Sequence, residues 1–245
     1  MPENYRMQME RVLKENSARR PRLLLHSCCG PCSSAVLEAL CPHFEVTVDY
    51  YNPNIDTAEE YAHRAAEQAR FAAAAPFAAG TQVLVAPYEP QAFYAAVKGL
   101  EHIPEGGARC FACYALRLRH AAALARQLSC EYFCTTLSVS PHKNAAKLNE
   151  LGRAIAEEYG VKWLPSDFKK ADGFRRSTAL SAEYGMYRQD YCGCVFSKRE
   201  AEARRAAQAD GLKATASIPA EKVRALCGGT ASVHIPGRDA PEAEL

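Results

Sequence analysis

The chain has 245 residues, 48% hydrophobic and 24% charged, which excludes a wholly disordered chain and suffices to bury a core without disulfides. Thirty Lys+Arg against 28 Asp+Glu leave a net charge of +2, so no global field selects nucleic acid as the partner. Eleven cysteines fall well short of the ~8–10% of a disulfide scaffold, and the polar opening through Arg22 lacks the apolar core of a secretory signal. The expectation is a soluble protein of the reducing cytoplasm, where clustered cysteines read as metal-binding or catalytic.

Residues 1–21, rich in Arg6, Arg11, Lys14, Arg19 and Arg20, read as a surface helix. Leu23-Leu24-Leu25 then opens a run of buried-strand type, and strands are expected at 22–27, 44–51, 82–86, 131–137 and 161–164. Helical stretches lie between them at 31–40, 57–74, 90–99, 109–128 and 142–159. In the last, Leu148, Leu151, Ile155 and Tyr159 share one face, and Ser140-Pro141 supplies a start signal. This alternation predicts a doubly wound parallel α/β sheet, with a mostly helical, polar C-terminal part from Ser166. The metal-containing catalytic domain is expected over 22–210, followed by an appendage or partly disordered tail over 211–245. The longest uncharged stretch, Phe71 to Tyr88, is broken by Pro76, Gly80 and Pro87 and does not make a membrane span.

The unusual residues follow strands: His26 to Cys32, Tyr51 to Asn54, Thr135 to Asn144 and Pro165 to Lys170. In a parallel sheet these loops share the carboxyl edge, where ligands bind. Seven cysteines form three groups: Cys28, Cys29 and Cys32; Cys110 and Cys113; Cys192 and Cys194. Packing explains the isolated Cys41, Cys130, Cys134 and Cys227 as small buried hydrophobes, but gives no reason for the clusters. Cys110 and Cys113 share a helix face and can grip one soft centre, which on spacing is iron–sulfur rather than the competing zinc. Cys32, in the first turn opened by Gly30-Pro31, is expected to be a thiolate favoured by the helix dipole, a second-metal ligand or a reactive thiol. Cys192 and Cys194, two apart, suit a strained, labile disulfide, or else metal ligation. Residues 165–205 hold nine Lys/Arg against six Asp/Glu, interleaved with aromatics, which permits RNA binding as well as it describes a solvated face.

Taken together, HSCCGPCS, YYNPNI, RCFACYALRL, TTLSVSPHKN, DFKK…GF and YGMYRQDYCGC resemble the cobalamin-independent epoxyqueuosine reductases, the QueH type, from about Leu23 to Ser197. The resemblance implies an adenine-nucleotide-α-hydrolase-like fold, a [4Fe–4S] cluster with a further iron nearby, and an oxidoreductase that converts epoxyqueuosine in tRNA to queuosine. It implies cluster ligation by Cys28, Cys29, Cys110 and Cys113 and a redox-active pair at Cys192 and Cys194, with an electron donor besides the tRNA partner. Ligands for the further iron are sought among Cys32, Asp167 and the cluster-side thiols, and proton donors among Asp167, His142 and Tyr191. The chain has no G-x-x-x-x-G-K-[ST] loop, which disfavours ATP hydrolysis. A tRNA-thiolation enzyme of related fold and a zinc-binding RNA module are the competing expectations.

Overall fold

A computed structural model describes residues 3–16, 18–170 and 172–216, with side chains through residue 208. Its strands β1 (Arg22–His26), β2 (Glu45–Tyr50), β3 (Gln82–Val85), β4 (Tyr132–Thr135) and β5 (Lys162–Trp163) form one sheet in the order β3-β2-β1-β4-β5. Every pairing is parallel, with Leu25 opposite Val48 on one side and Cys134 on the other. Leu23, Leu24 and Leu25 are fully buried because β1 is central and covered on both faces, each side chain contributing ~1.5–3 kcal/mol. The edge strands are weaker: β3 is half-exposed and β5 has two residues.

The helices are α1 (Tyr5–Glu15), α2 (Gly30–Leu40), α3 (Ala58–Ala74), α4 (Pro90–Ala96), α5 (Ala108–Gln127), α6 (Ala145–Tyr159), α7 (Gly173–Glu183) and α8 (Val195–Ala216). α2 packs against α3 and α7, while α5 packs on β1, β4 and α6. The expected surface helix α1 buries Met9 and half-buries Val12 and Leu13 against the core, so one stripe of it is anchored. Thr57 starts α3 by accepting from the Glu60 N–H at 3.2 Å, with Glu59 and Glu60 in the first turn complementing the helix dipole.

The start signal read at Ser140-Pro141 does not begin α6. Thr136–Val139 forms a short 3₁₀ turn after β4, and Asn144 is the cap, accepting from the Lys147 N–H at 3.0 Å. Ser140 instead closes a local turn by accepting from the His142 N–H at 3.3 Å, which leaves Lys143 in the loop. Within α6, Leu148 and Ile155 are buried and Leu151 and Tyr159 half-buried, as the periodicity predicts. Asn149, fully buried on the same helix, accepts from Trp163 Nε1 and from the Ser166 N–H, each at 3.0 Å, and so locks α6 to β5.

One compact unit runs through Ala201, and a second begins at Glu202, of which α8 is described to Ala216. Of the tail expected over 211–245, residues 211–216 continue α8, and the rest, with Cys227, lies outside the described residues. Among the described residues no helix is long and apolar enough to cross a membrane.

Candidate metal centre

From β1 the chain steps outward through β2 to β3, then returns to place β4 on the other side of β1. The crevice at the carboxyl ends of β1 and β4 is thus the switch point, where connections diverge and backbone groups face a ligand rather than a helix. The four polar loops meet there through hydrogen bonds. Asn52 Nδ2 donates to the Ser27 carbonyl at 2.9 Å, and the Cys28 N–H donates to Thr136 Oγ1 at 3.1 Å. The Phe168 N–H reaches Ser138 Oγ at 3.3 Å, and Lys169 Nζ reaches the Lys143 carbonyl at 3.3 Å.

Cys28, Cys29 and Cys32 form the first thiol group, with their Sγ atoms all within 4.8 Å of one another. Cys29 is the cap of α2 in extended conformation, Pro31 holds the first helical turn, and Cys32 follows in that turn. Hydrogen bonds with Cys28 and Cys32 pull the Cys29 thiol well below the ordinary value, while those with Cys28 and Cys29 push Cys32 well above it. Thr136 Oγ1, 3.3 Å from Cys28 Sγ, adds a hydroxyl donor to the same group.

The second group brings together two motifs about 80 residues apart, a separation only long-range packing can close. Cys110 and Cys113 on α5 and Cys192 and Cys194 before α8 line one small cavity, together with Asn54, Arg109, Tyr114, Arg117 and Lys143. Burial pushes Cys113 up to about 11 and Cys194 up to about 12, the latter helped by Cys192 beside it. Backbone N–H groups point at two of the sulfurs, Gly106 at Cys110 (3.3 Å) and Ser197 at Cys194 (3.4 Å). The Cys-Gly-Cys turn depends on Gly193, whose φ of 115° lies in the left-handed half of the map. It is pinned by the Cys192 N–H on Ser197 Oγ at 2.9 Å and by the Asp56 N–H on the Gly193 carbonyl at 3.0 Å. Lys143 Nζ bonds Glu105 at 2.7 Å, and Glu105 also accepts from Ser197 Oγ at 3.4 Å, so one buried carboxylate ties three loops to the cavity.

Arg117 links the cavity to the first loop. It is 1% exposed, lines the cavity beside Cys113, and donates from Nε to His26 Nε2 at 3.2 Å and from Nη2 to Asn52 Oδ1. Because arginine only donates, His26 Nε2 accepts and Nδ1–H donates to Thr135 Oγ1 at 2.8 Å. Burial and the Arg117 charge hold this imidazole neutral, lowered to about 3. Arg117, Asn52, Lys143 and Glu105 were not singled out from the sequence. The spacing of Cys110, Cys113 and Arg117 at i, i+3 and i+7, one helix face, was the signal for the first of them.

The other expected site residues are not among those lining the thiol cavity. Asp167 pairs with Lys169 at 3.1 Å and lines a groove with Arg6, Met9 and Arg176. His142 is exposed, and Tyr191 donates to Asp56 Oδ1 at 3.3 Å. Cys41, Cys130 and Cys134 are buried in the core, and all ten described cysteines are free thiols.

The soft donors and their spacing suit a thiolate-bound metal, and Cys28, Cys29 and Cys32 could hold one. Fold and donors thus define a class: a doubly wound α/β protein with thiol clusters suited to a metal at its switch point. The family model for epoxyqueuosine reductase QueH matches residues 23–200. The chain is 42% identical over 200 residues to the epoxyqueuosine reductase QueH of Staphylococcus epidermidis, covering 79% of this chain and 84% of that one. Identity to the Streptococcus pyogenes protein of the same name is 41% over 200 residues (80% and 78%), and to that of Thermotoga maritima 36% over 179 residues (73% and 91%). The chain belongs to the epoxyqueuosine reductase QueH family.

Proposed function

We propose that this protein is an oxidoreductase that reduces epoxyqueuosine in tRNA to queuosine, in the cytoplasm, using a [4Fe–4S] cluster and a further iron. The observation that carries this reading is the pair of thiol groups, Cys28, Cys29 and Cys32 in one and Cys110, Cys113, Cys192 and Cys194 in the other, in a chain of this family. Removing an epoxide oxygen as water and leaving an alkene consumes two electrons and two protons. In this proposal Cys28, Cys29, Cys110 and Cys113 hold the cluster, with Cys32 beside the further iron. When bound, these metals supply single-electron transfer and Lewis acidity toward the epoxide oxygen.

The chain's own residues then have distinct tasks. Closing Cys192 and Cys194 into a disulfide releases two electrons and two protons, the quantities the epoxide needs, and an external electron donor reopens the pair. Lys143 and Tyr114 face the cavity with N–H and O–H groups that can orient an oxygen there. The Glu105–Ser197 contact keeps the Cys-Gly-Cys turn against α5. Lys169, Lys170, Arg175 and Arg176 are the candidate contacts to tRNA phosphates.

A second reading is favoured by one observation, that Cys110, Cys113, Cys192 and Cys194 line the same cavity. There these four thiols hold the cluster, and Cys28, Cys29 and Cys32 hold the further iron. Iron and sulfide assays after anaerobic purification separate the two. In the first, Cys29→Ser and Cys110→Ser lose the cluster, whereas Cys194→Ser keeps it and does not turn over. In the second, Cys194→Ser loses the cluster and Cys29→Ser keeps it. Cys41→Ala and Cys130→Ala should leave the chromophore intact in both. Colourless protein containing zinc and no sulfide would overturn the reductase reading in favour of an RNA-binding zinc module.

A further inference from the structure

Among the described residues three arginines are buried: Arg64, Arg109 and Arg117, at 2%, 3% and 1% exposure. A guanidinium is always charged, and a buried charge requires a partner. Arg64 has Glu60 at 2.7 Å and Arg109 has Glu200 at 2.9 Å. Among the described residues no carboxylate lies within ion-pair distance of Arg117. The oxygen and nitrogen atoms it donates to belong to a neutral amide, Asn52, and a neutral imidazole, His26. Both are strong acceptors, yet neither carries a charge to offset the cation. Beyond these two contacts the guanidinium lines the cavity with the thiols of Cys110, Cys113, Cys192 and Cys194, beside Lys143, whose own partner is Glu105. Asn52, its second contact, is itself fixed by the Ser27 carbonyl one residue before Cys28.

We infer that Arg117 is the fixed counter-charge of the metal-bound thiolates, a positioning residue that holds α5 against the Cys28–Cys29 turn and raises the reduction potential of the centre. The inference rests on the reading of these cysteines as holders of an iron–sulfur centre, and holds for either division of them, since Cys113 is a ligand in both. Four thiolates around such a cluster carry net negative charge that grows on reduction. A buried cation therefore favours the reduced form more than the oxidised one. Without metal, the same buried cation has no carboxylate partner among the described residues. Arg117 should therefore cost the metal-free protein stability and return it when metal binds.

Arg117→Met and Arg117→Lys, reconstituted anaerobically, test this in two ways. In a redox titration followed by electron paramagnetic resonance, Arg117→Met should lower the equilibrium constant for reduction about tenfold or more, about 59 mV for a one-electron couple. Arg117→Lys, which keeps the charge, should shift it less. In thermal unfolding, metal-free Arg117→Met should melt no lower than the metal-free wild type, while the rise in Tm on loading should be smaller than in wild type. An unchanged potential in Arg117→Met, or an equal loss of Tm with and without metal, would overturn the inference and make Arg117 a shape-holding residue only. If Arg117→Met takes up no iron, retention by Arg117→Lys supports the counter-charge and loss in both overturns it. Wild-type protein that holds the cluster but leaves epoxyqueuosine tRNA unreduced would sink the proposed reaction and leave these readouts standing.

Discussion

Gly193→Ala isolates the backbone demand of the Cys-Gly-Cys turn. At φ 115° a residue with a Cβ is strained by about 1–3 kcal/mol. The new methyl would lie 3.0 Å from Arg64 Nη1 and 3.2 Å from Ile55 Cγ1. Arg64 cannot swing clear, because it is 2% exposed, bonded through Nε to Glu60 at 2.7 Å, and stacked over Tyr191 at 5.1 Å. Adding a modest overpacking cost brings the loss to about 2–4 kcal/mol. For a chain of this size that corresponds to a fall in Tm of about 5–15 °C. The assay is thermal unfolding of the metal-free, reduced protein by circular dichroism. Gly80→Ala provides the comparison, since its φ is 84° with nothing within 4 Å of the added carbon, and it should lose only the backbone part. Equal losses in the two variants would refute the contact argument, and a Tm for Gly193→Ala unchanged within about 1 °C would refute the strain argument too.

Asn149→Leu should cost about 2–5 kcal/mol in urea unfolding, because Trp163 Nε1 and the Ser166 N–H lose their acceptor inside the core; a loss below about 1 kcal/mol would show that both groups find other partners. For tRNA binding, neutralising Lys169, Lys170, Arg175 and Arg176 together should flatten the plot of log affinity against log salt by up to about 3. Three of these cations already hold carboxylates, Asp167 at 3.1 Å, Asp172 at 2.6 Å and Glu38 at 2.5 Å, so each must exchange one for a phosphate. An unchanged slope would place the RNA surface elsewhere.

The sheet was legible in the sequence because strand burial is a local pattern. The run at Leu23–Leu25 is apolar without alternation, as a strand covered on both faces must be, and Gly30-Pro31 marks a helix start by backbone chemistry alone. The thiol motifs were equally local, since Cys110 and Cys113 share a helix face whatever surrounds them. Where α6 begins was not settled by local signals. Ser140-Pro141 reads as the start, but the 3₁₀ turn packed after β4 leaves Asn144 as the cap. Nor does spacing reveal that Cys192 and Cys194 share one cavity with Cys110 and Cys113. Those facts follow from strand order: by seating β4 beside β1, the fold gathers loops distant in sequence into one crevice. Arg117 shows the same division. Its place on the cysteine face of α5 is written in the spacing, but only packing takes away its water and sets it in a cavity lined by cysteines from two distant motifs.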